Sequence, residues 1–155
     1  MGKIKNILLI MLLIPVLGIV SCGDDPDGCE PIYIKLNITG AEYKDKGKHG
    51  YFVEFGKDGG NFTLTSADSN NSCEFYKIVH DGSTVYRDMI EYAEGTPFEQ
   101  YSWSWGTIRQ TSAPDEPYAY EIRIVPSDGP SRRSAAIEVG QYPWINYITI
   151  VQEVK

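Results

Sequence analysis

Apolar and polar residues alternate along most of the chain beyond residue 31. The alternation covers residues 32–39, 51–55, 62–65, 75–79, 120–124, 135–139 and 148–154. A period of two places successive side chains on opposite faces of a strand, so each segment predicts a half-buried β-strand. Gly, Pro and Asp separate these segments, as in Lys57-Asp58-Gly59-Gly60, which supplies the positive φ values that tight hairpins need.

About seven to nine short strands, with no long helical segment between them, predict an all-β antiparallel β-sandwich. The pattern of residues 84–93 fits both a short helix and a pair of strands. Val85, Met89 and Tyr92 have helical spacing, but the segment is too short for this spacing to decide between the two. Trp103 and Trp105 are expected on one face of a strand that reaches about residue 110. The expected core includes one of the tryptophans together with Phe55, Phe62 and Phe75.

The first 21 residues have the layout of a secretory signal. Lys3 and Lys5 precede an apolar run over residues 7–20 that is short for a membrane span. The run ends in Ile19-Val20-Ser21-Cys22, which resembles the lipobox of bacterial lipoproteins. We therefore expect residues 1–21 to be removed and Cys22 to carry fatty acyl chains such as palmitate, which anchor the protein to the membrane. The alternative is an ordinary signal peptide with an unrelated cysteine.

Residues 22–31 are acidic and rich in Gly and Pro, so they predict a flexible tether rather than part of a core. Acidic residues after the cysteine also resemble the signal that exports lipoproteins of Bacteroidetes to the outer face of the outer membrane. The predicted organisation is a signal peptide (1–21), a lipidated tether (22–31) and a single β-sandwich domain (32–155). The predicted location is the outer membrane, facing the cell surface.

The net charge limits the classes of binding partner, and the cysteine content limits the possible disulfides. Loss of a signal with two lysines and no acids takes the formal net charge of the 155-residue chain from −7 to −9. Such a surplus of acids argues against nucleic acid and against anionic lipid surfaces. With Cys22 lipidated, Cys29 and Cys73 are the candidate disulfide outside the cytoplasm. The alternative for Cys73 is an inert thiol.

The domain also resembles the BACON family, which consists of immunoglobulin-like modules of Bacteroidetes surface proteins. The matching segments are Gly59–Thr65, a tryptophan near the middle, Arg133–Val139 and the closing Ile148–Glu153. The resemblance implies an immunoglobulin-like sandwich and a carbohydrate or mucin ligand. Residues 81–102 depart from it, because they form a longer central stretch than the family has.

Residues for catalysis are sparse. The two histidines, His49 and His80, lie far apart in sequence and near turns, where solvated loop side chains are expected. The chain contains no nucleophile elbow, no phosphate-binding loop and no His/Cys metal spacing. Carboxylates such as Glu91, Glu94 and Glu99 are close enough to form chance pairs among 21 acids. We predict a protein that is not an enzyme and has no cofactor or metal.

Aromatic residues are the most informative set, with 11 Tyr and 3 Trp. Exposed rings can stack on sugars and mark binding sites, whereas buried ones belong to the core. The candidate glycan-binding residues are those in predicted loops or beside prolines: Tyr142, Trp144, Tyr118, Tyr101 and Tyr92. The first hypothesis is a surface module that binds glycan or host glycoprotein. The second is a structural spacer or accessory subunit of an envelope protein assembly.

Overall fold

The alternating segments form the strands of two β-sheets. The computed structural model describes residues 33–68, 71, 73–95, 98–113, 116–141 and 143–153. Its elements are the strands β1 (Leu36–Thr39), β2 (Tyr43–Gly47), β3 (Gly50–Phe55), β4 (Gly60–Ser66), β5 (Glu74–His80), β6 (Ser83–Tyr86), β7 (Gln100–Trp103), β8 (Gly106–Gln110), β9 (Ala119–Ile124), β10 (Arg133–Gln141) and β11 (Trp144–Gln152), and the helix α1 (Arg87–Glu94). The predicted signal peptide, Cys22, the tether and Cys29 lie outside the described residues.

The strands pair into one five-stranded and one six-stranded sheet. Sheet 1 has the order β1-β4-β9-β8-β7, and sheet 2 has the order β2-β3-β11-β10-β5-β6. Within the described ranges the pairs are antiparallel except β3 with β11, which run parallel. The prediction of an all-β, mainly antiparallel sandwich-like fold is confirmed. No helix in the described residues is long and apolar enough to cross a membrane.

The core consists of the apolar residues of the alternating strands. In sheet 2, Ile137 of β10 pairs with Ile148 of β11 and with Ile78 of β5, and all three are fully buried. In sheet 1, Leu64 of β4 and Ile122 of β9 are equally buried. Burial of apolar surface is the main favourable term in folding. The predicted core residues Phe55, Phe62 and Phe75 are confirmed, and both Trp103 and Trp105 join them.

Three hydrogen bonds from buried groups link separate parts of the core. The amide of Phe75 in β5 donates to the hydroxyl of Tyr120 in β9 over 3.0 Å. The amide of Leu36 donates to the Tyr51 hydroxyl over 3.4 Å, and the Asn146 side chain donates to the carbonyl of Ile34 over 3.0 Å. Desolvation of a buried polar group is offset only by such partners. Burial also raises the pKa of Tyr120.

The structure differs from the sequence-based prediction in two places. It has eleven strands in its described part rather than seven to nine, because β2, β6 and β7 are short and were not predicted. Trp103 and Trp105 do not share one strand: Trp103 ends β7, Trp105 lies in the turn, and β8 begins at Gly106. Residues 84–93, for which the sequence fitted either a helix or strands, contain the end of a strand and a helix, since β6 runs directly into α1.

Candidate ligand-binding site

Trp144 lies at the start of β11 with its ring half-buried. Among the described residues it packs against Tyr33, whose ring centroid is 5.8 Å away, and the Tyr33 ring also stacks on His49. The three residues of this group are all half-buried and together form a partly exposed aromatic surface. Tyr142, the other candidate of this region, lies outside the described residues, so the predicted cluster of Tyr142 with Trp144 stays a prediction.

Tyr101 and Tyr92 lie in different surroundings from Trp144. Tyr101 is in β7, half-buried, with its hydroxyl 2.8 Å from Nε2 of His80 and its ring 6.5 Å from that of Trp103. Tyr92 projects from α1 and is 87% exposed. Tyr101 is therefore held by neighbouring side chains, whereas Tyr92 is open to solvent.

Tyr118 lines a pocket between α1, β7, β8 and the segment that precedes β9. It precedes β9, is half-buried, and packs with its ring 6.3 Å from that of Tyr120. The pocket has a volume of about 400 Å³, within the range of small-molecule sites. Its lining comes from the start of α1, from β7 and β8, and from the segment before β9: Arg87, Phe98, Glu99, Gln100, Arg109, Gln110, Ser112 and Tyr118.

Arg87 forms one wall of this pocket and is fixed by three partners. Its Nη1 pairs with Glu74, its Nε donates to Glu91 over 2.8 Å, and its Nη2 approaches the Tyr118 hydroxyl at 3.5 Å. The guanidinium carbon is 5.2 Å from the centre of the Tyr118 ring, a cation–π contact. A guanidinium has five N–H donors. Two of those of Arg87 therefore lack a partner in the described part of the chain and can serve a ligand.

The other walls of the pocket carry planar polar side chains that include both hydrogen-bond donors and hydrogen-bond acceptors. Gln100 of β7 lies opposite Arg109 of β8, and Arg109 donates to Glu121 of β9 over 2.5 Å. Amides, carboxylates and guanidinium groups beside an aromatic ring can donate to and accept from several hydroxyl groups at once. This combination suits a polar, polyhydroxylated ligand better than an apolar one.

His80 is the last residue of β5 and belongs to a hydrogen-bond network there, at the other end of the strand from Glu74. Its Nδ1 is 3.3 Å from Oδ2 of Asp81, and Asp81 also accepts from Ser104 over 2.5 Å and from the Trp105 indole over 3.2 Å. The prediction of a solvated loop histidine is wrong for His80, because its side chain is only 11% exposed. The network fastens the β5–β6 turn of sheet 2 to the β7–β8 turn of sheet 1.

The chain Asp81–His80–Tyr101 has the spacing of an acid, a base and a nucleophile. Burial and the nearby Asp81 charge raise the pKa of Tyr101, which makes its phenolate harder to form. Among the described residues, no group of three or more His, Cys, Asp and Glu side chains is placed to hold a metal ion. What the described contacts establish is that the network links the two turns.

Asp81→Asn is expected to lower the free energy of unfolding by about 1 kcal/mol at pH 7, a small value because the carboxylate is about half exposed. Asparagine tolerates the positive φ of this position, so the backbone should keep its turn. The hydrogen bond from Ser104, followed by those from His80 and Trp105, lowers the pKa of Asp81. A depressed folded pKa gives stability that is complete above the ordinary carboxyl value of about 4 and is lost as pH falls below it.

The difference in unfolding free energy between wild type and Asp81→Asn should therefore shrink between pH 7 and pH 3. Urea denaturation of both proteins at the two pH values measures it. An equal difference at both values would contradict the assigned role of the Asp81 charge.

Cys73 lies just before β5 with no exposed surface, and burial raises the pKa of its thiol to about 12. A thiol that stays protonated at neutral pH is a poor nucleophile. The structure records Cys73 as a free cysteine. Cys29, its predicted partner, is outside the described residues, so the disulfide stays a prediction.

Arg87 and Gln100 were missed as site residues in the sequence, although Tyr118 was among the candidates. One signal was present: Arg87 and Glu91 have the i, i+4 spacing of a helical ion pair. The pairing of β7 with β8 brings Gln100 to the pocket, and no comparable sequence pattern predicts this pairing. Of the predicted aromatic candidates, Tyr118 alone lines this pocket among those that the structure describes.

The fold is shared with a solved structure. No family model and no curated protein matches the chain. A solved NMR structure of a protein from Bacteroides thetaiotaomicron is similar, with a TM-score of 0.54 and 15% sequence identity over 87% of this chain and 98% of the other. At that identity the likeness establishes the fold alone. The chain is accordingly placed in the class of all-β, sandwich-like proteins.

Proposed function

We propose that this protein is a lipid-anchored surface module that binds a glycan, without catalysis, in the pocket beside Tyr118. The observation that carries the proposal is the pocket itself. It joins the Tyr118 ring to unused donors of Arg87 and to the side-chain amides of Gln100 and Gln110. Sugars present hydroxyl groups around an apolar ring face, so a site for them combines an aromatic wall with several donors and acceptors.

The proposed sandwich type is immunoglobulin-like, as the BACON resemblance implies. Three features of the strand order support this type. Sheet 1 contains the run β1-β4-β9-β8, which has the connectivity of the ABED sheet of immunoglobulin domains. The last two strands, β10 and β11, form a hairpin beside β5 in sheet 2, as the G, F and C strands do. An early strand, β3, adds to the last strand in parallel.

The proposed anchor is the acylated Cys22, and the proposed location is the outer membrane with the domain facing outwards. The support is the Ile19-Val20-Ser21-Cys22 sequence and the acidic residues after it. A tether of about ten residues would let the domain reach ligands away from the lipid headgroups. A surface glycan or a host glycoprotein is the corresponding ligand class.

A non-catalytic role is supported by the chemistry of the pocket. Its acid, Glu99, is accompanied by Arg87 and Arg109, and the acids nearby, Glu74 and Glu91, are held by Arg87. Glycosidases need two carboxylates that flank one sugar bond. Carboxylates already paired with a guanidinium are poorly suited to either of those roles.

Tyr118→Ala is expected to weaken glycan binding about tenfold or more, because it removes the aromatic wall and a partner of Arg87. Tyr118→Phe should keep most of the affinity, since it retains the ring. A glycan array that includes mucin and plant glycans identifies the ligand, and titration calorimetry with that ligand measures the change.

Trp144→Ala is the matched control, because Trp144 packs with Tyr33 away from the pocket lining. Weaker binding by Trp144→Ala with unchanged binding by Tyr118→Ala would move the site to the Tyr33–Trp144 surface. If the wild-type protein bound no glycan of the array, the proposed function would be wrong.

The second candidate function is that of a spacer or accessory subunit in an envelope protein assembly. It is favoured by the exposure of Met89 and Tyr92 on α1, which the glycan pocket does not use. Purification of the intact lipoprotein in mild detergent separates the two functions. A stoichiometric complex supports the accessory role, and a monomer that binds glycan supports the first.

A further inference from the structure

The face of sheet 1 that points away from the core is polar along its central strands. In β9, Tyr120, Ile122 and Ile124 are buried, so Glu121 and Arg123 between them lie on the solvent side. The strand register flanks these two residues with polar residues of β8 and β4. They are Thr107, Arg109, Asn61 and Thr63. We call these six residues the polar face, which suits a hydroxylated ligand better than an apolar one.

Two cavities lie at opposite ends of β9. The pocket beside Tyr118, which is the proposed glycan site, includes Arg109 of the polar face. From Tyr118 to Ile124 the extended backbone covers about 20 Å. A second cavity, with a volume of about 430 Å³, lies at the Ile124 end. Its lining includes Asp58, Asn61, Glu121, Arg123 and Pro126.

An ion pair on the polar face connects the two cavities. Arg109 lines the first cavity and Glu121 lines the second. The two residues lie opposite each other in β8 and β9, and Nη2 of Arg109 donates to Glu121 over 2.5 Å. Their side chains are 56% and 34% exposed, so both can still contact a ligand. Because the pair is neutral as a whole, it forms a polar floor between the cavities rather than a charge barrier.

The second cavity offers donors and acceptors that the fold does not use. Arg123 is exposed and has no ion-pair or hydrogen-bond partner in the described part of the chain, so all five N–H donors of its guanidinium are free. Asn61, which lies opposite Arg123 in β4, is also exposed and adds an amide group. No aromatic ring lines this cavity. It is therefore suited to extend a ligand that Tyr118 holds rather than to stack a sugar by itself.

We propose that the ligand of the Tyr118 pocket is a chain of several sugars that runs along β9 into the second cavity, where Arg123 and Asn61 bind its other end. This inference rests on the proposed function and specifies its ligand class. A site of about 20 Å is longer than one pyranose ring. The ligand is therefore an oligosaccharide or a stretch within a polysaccharide, not a terminal monosaccharide.

The test is the dependence of affinity on chain length. The protein is the exported chain with Cys22→Ser, and the probes are malto-, cello- and xylo-oligosaccharides and N-acetyllactosamine repeats, each from the shortest member to the hexasaccharide. In the series that binds, titration calorimetry should show at least a tenfold rise in affinity, about 1.4 kcal/mol, from the shortest member to the hexasaccharide. Tyr118→Ala should weaken binding of every member.

Arg123→Ala should remove most of the gain from chain length, which means about tenfold weaker binding of the hexasaccharide and unchanged binding of the shortest member. Arg132→Ala is the matched control, because Arg132 is an exposed arginine outside both cavities. It should bind every member like wild type. Circular dichroism checks that the variants are folded.

Three results would overturn the inference. Equal affinity of the wild-type domain for short and long members would confine the ligand to the Tyr118 pocket and would leave the proposed function intact. Equal binding of the hexasaccharide by Arg123→Ala and Arg132→Ala would exclude the second cavity in the same way. If the wild-type domain bound none of these probes and no glycan of the array, the proposed function would be wrong and the inference with it.

Discussion

Replacing Gln152 with leucine is expected to lower the free energy of unfolding by about 3–5 kcal/mol. Gln152 ends β11 and is fully buried. Its amide nitrogen donates to the carbonyls of Gly56, Lys57 and Val125 over 3.1–3.2 Å, and its oxygen accepts from Arg133 over 2.5 Å. Leucine has a similar size but removes all four of these hydrogen bonds, although the carbonyls of Gly56 and Lys57 keep the amides of Gly59 and Ser127 as donors.

Chemical denaturation with fluorescence detection measures the loss. Gln141→Leu is the matched control, because Gln141 is exposed at the end of β10 and the same exchange there should change the unfolding free energy by less than about 0.5 kcal/mol. Gln152→Glu adds a second comparison: it keeps an acceptor for Arg133 but sets a carboxylate against three carbonyls. If Gln152→Leu were as stable as Gln141→Leu, the hydrogen bonds of the Gln152 side chain would make no net contribution to stability.

Gly59→Ala is expected to lower the free energy of unfolding by about 3 kcal/mol or more, from two separate causes. Gly59 lies in the turn between β3 and β4 with φ +68°, where an L-residue is strained. In addition, a Cβ at this position would lie 2.2 Å from the carbonyl oxygen of Ile124. That oxygen belongs to the backbone of β9, so it cannot move aside without disturbing sheet 1.

Gly82→Ala separates the two causes. Gly82 has φ +76°, but a Cβ there would meet no atom within 4 Å. It should therefore show only the backbone strain, about 1–2 kcal/mol. Thermal and urea unfolding of both variants measure the difference. Equal losses for Gly59→Ala and Gly82→Ala would mean that the β3–β4 turn relaxes and the close approach to Ile124 has no energetic weight.

The strands that alternation predicted are those whose apolar face is buried. β11 was predictable because Ile148 and Ile150 enter the core while Tyr147 and Thr149 face outwards. β2 was not, since every residue from Tyr43 to Gly47 is exposed, and it joins β3 through backbone pairing and surface side-chain contacts that leave no alternating apolar pattern. The hairpin at Trp103 and Trp105 was not predicted for another reason: a buried ring at the end of a strand and a second one in the turn after it have the same spacing as two rings on one strand.

Only part of the candidate site could be predicted from the sequence. Tyr118 could be selected as an aromatic residue between a proline and a strand. Arg87 could not, because its role requires β6 to end where α1 begins, in a segment whose pattern fitted both a helix and strands. The exposed apolar residues of α1 were equally hard to predict. Met89 and Tyr92 share helical spacing, which in most proteins indicates a buried stripe rather than an exposed one.

Edge strand β2 has a consequence for how these domains behave when many are crowded together. An open sheet edge offers unpaired amides and carbonyls to which a strand of another molecule can add. In β2, Lys44 and Lys46 lie on that edge, and a register shift interrupts its pairing with β3 between Asp45 and Gly47. At the other edge of sheet 2, β6 has only four residues before the chain turns into α1. Neither edge is a good template, so sheet 2 should resist growing into intermolecular fibres even at high local concentration.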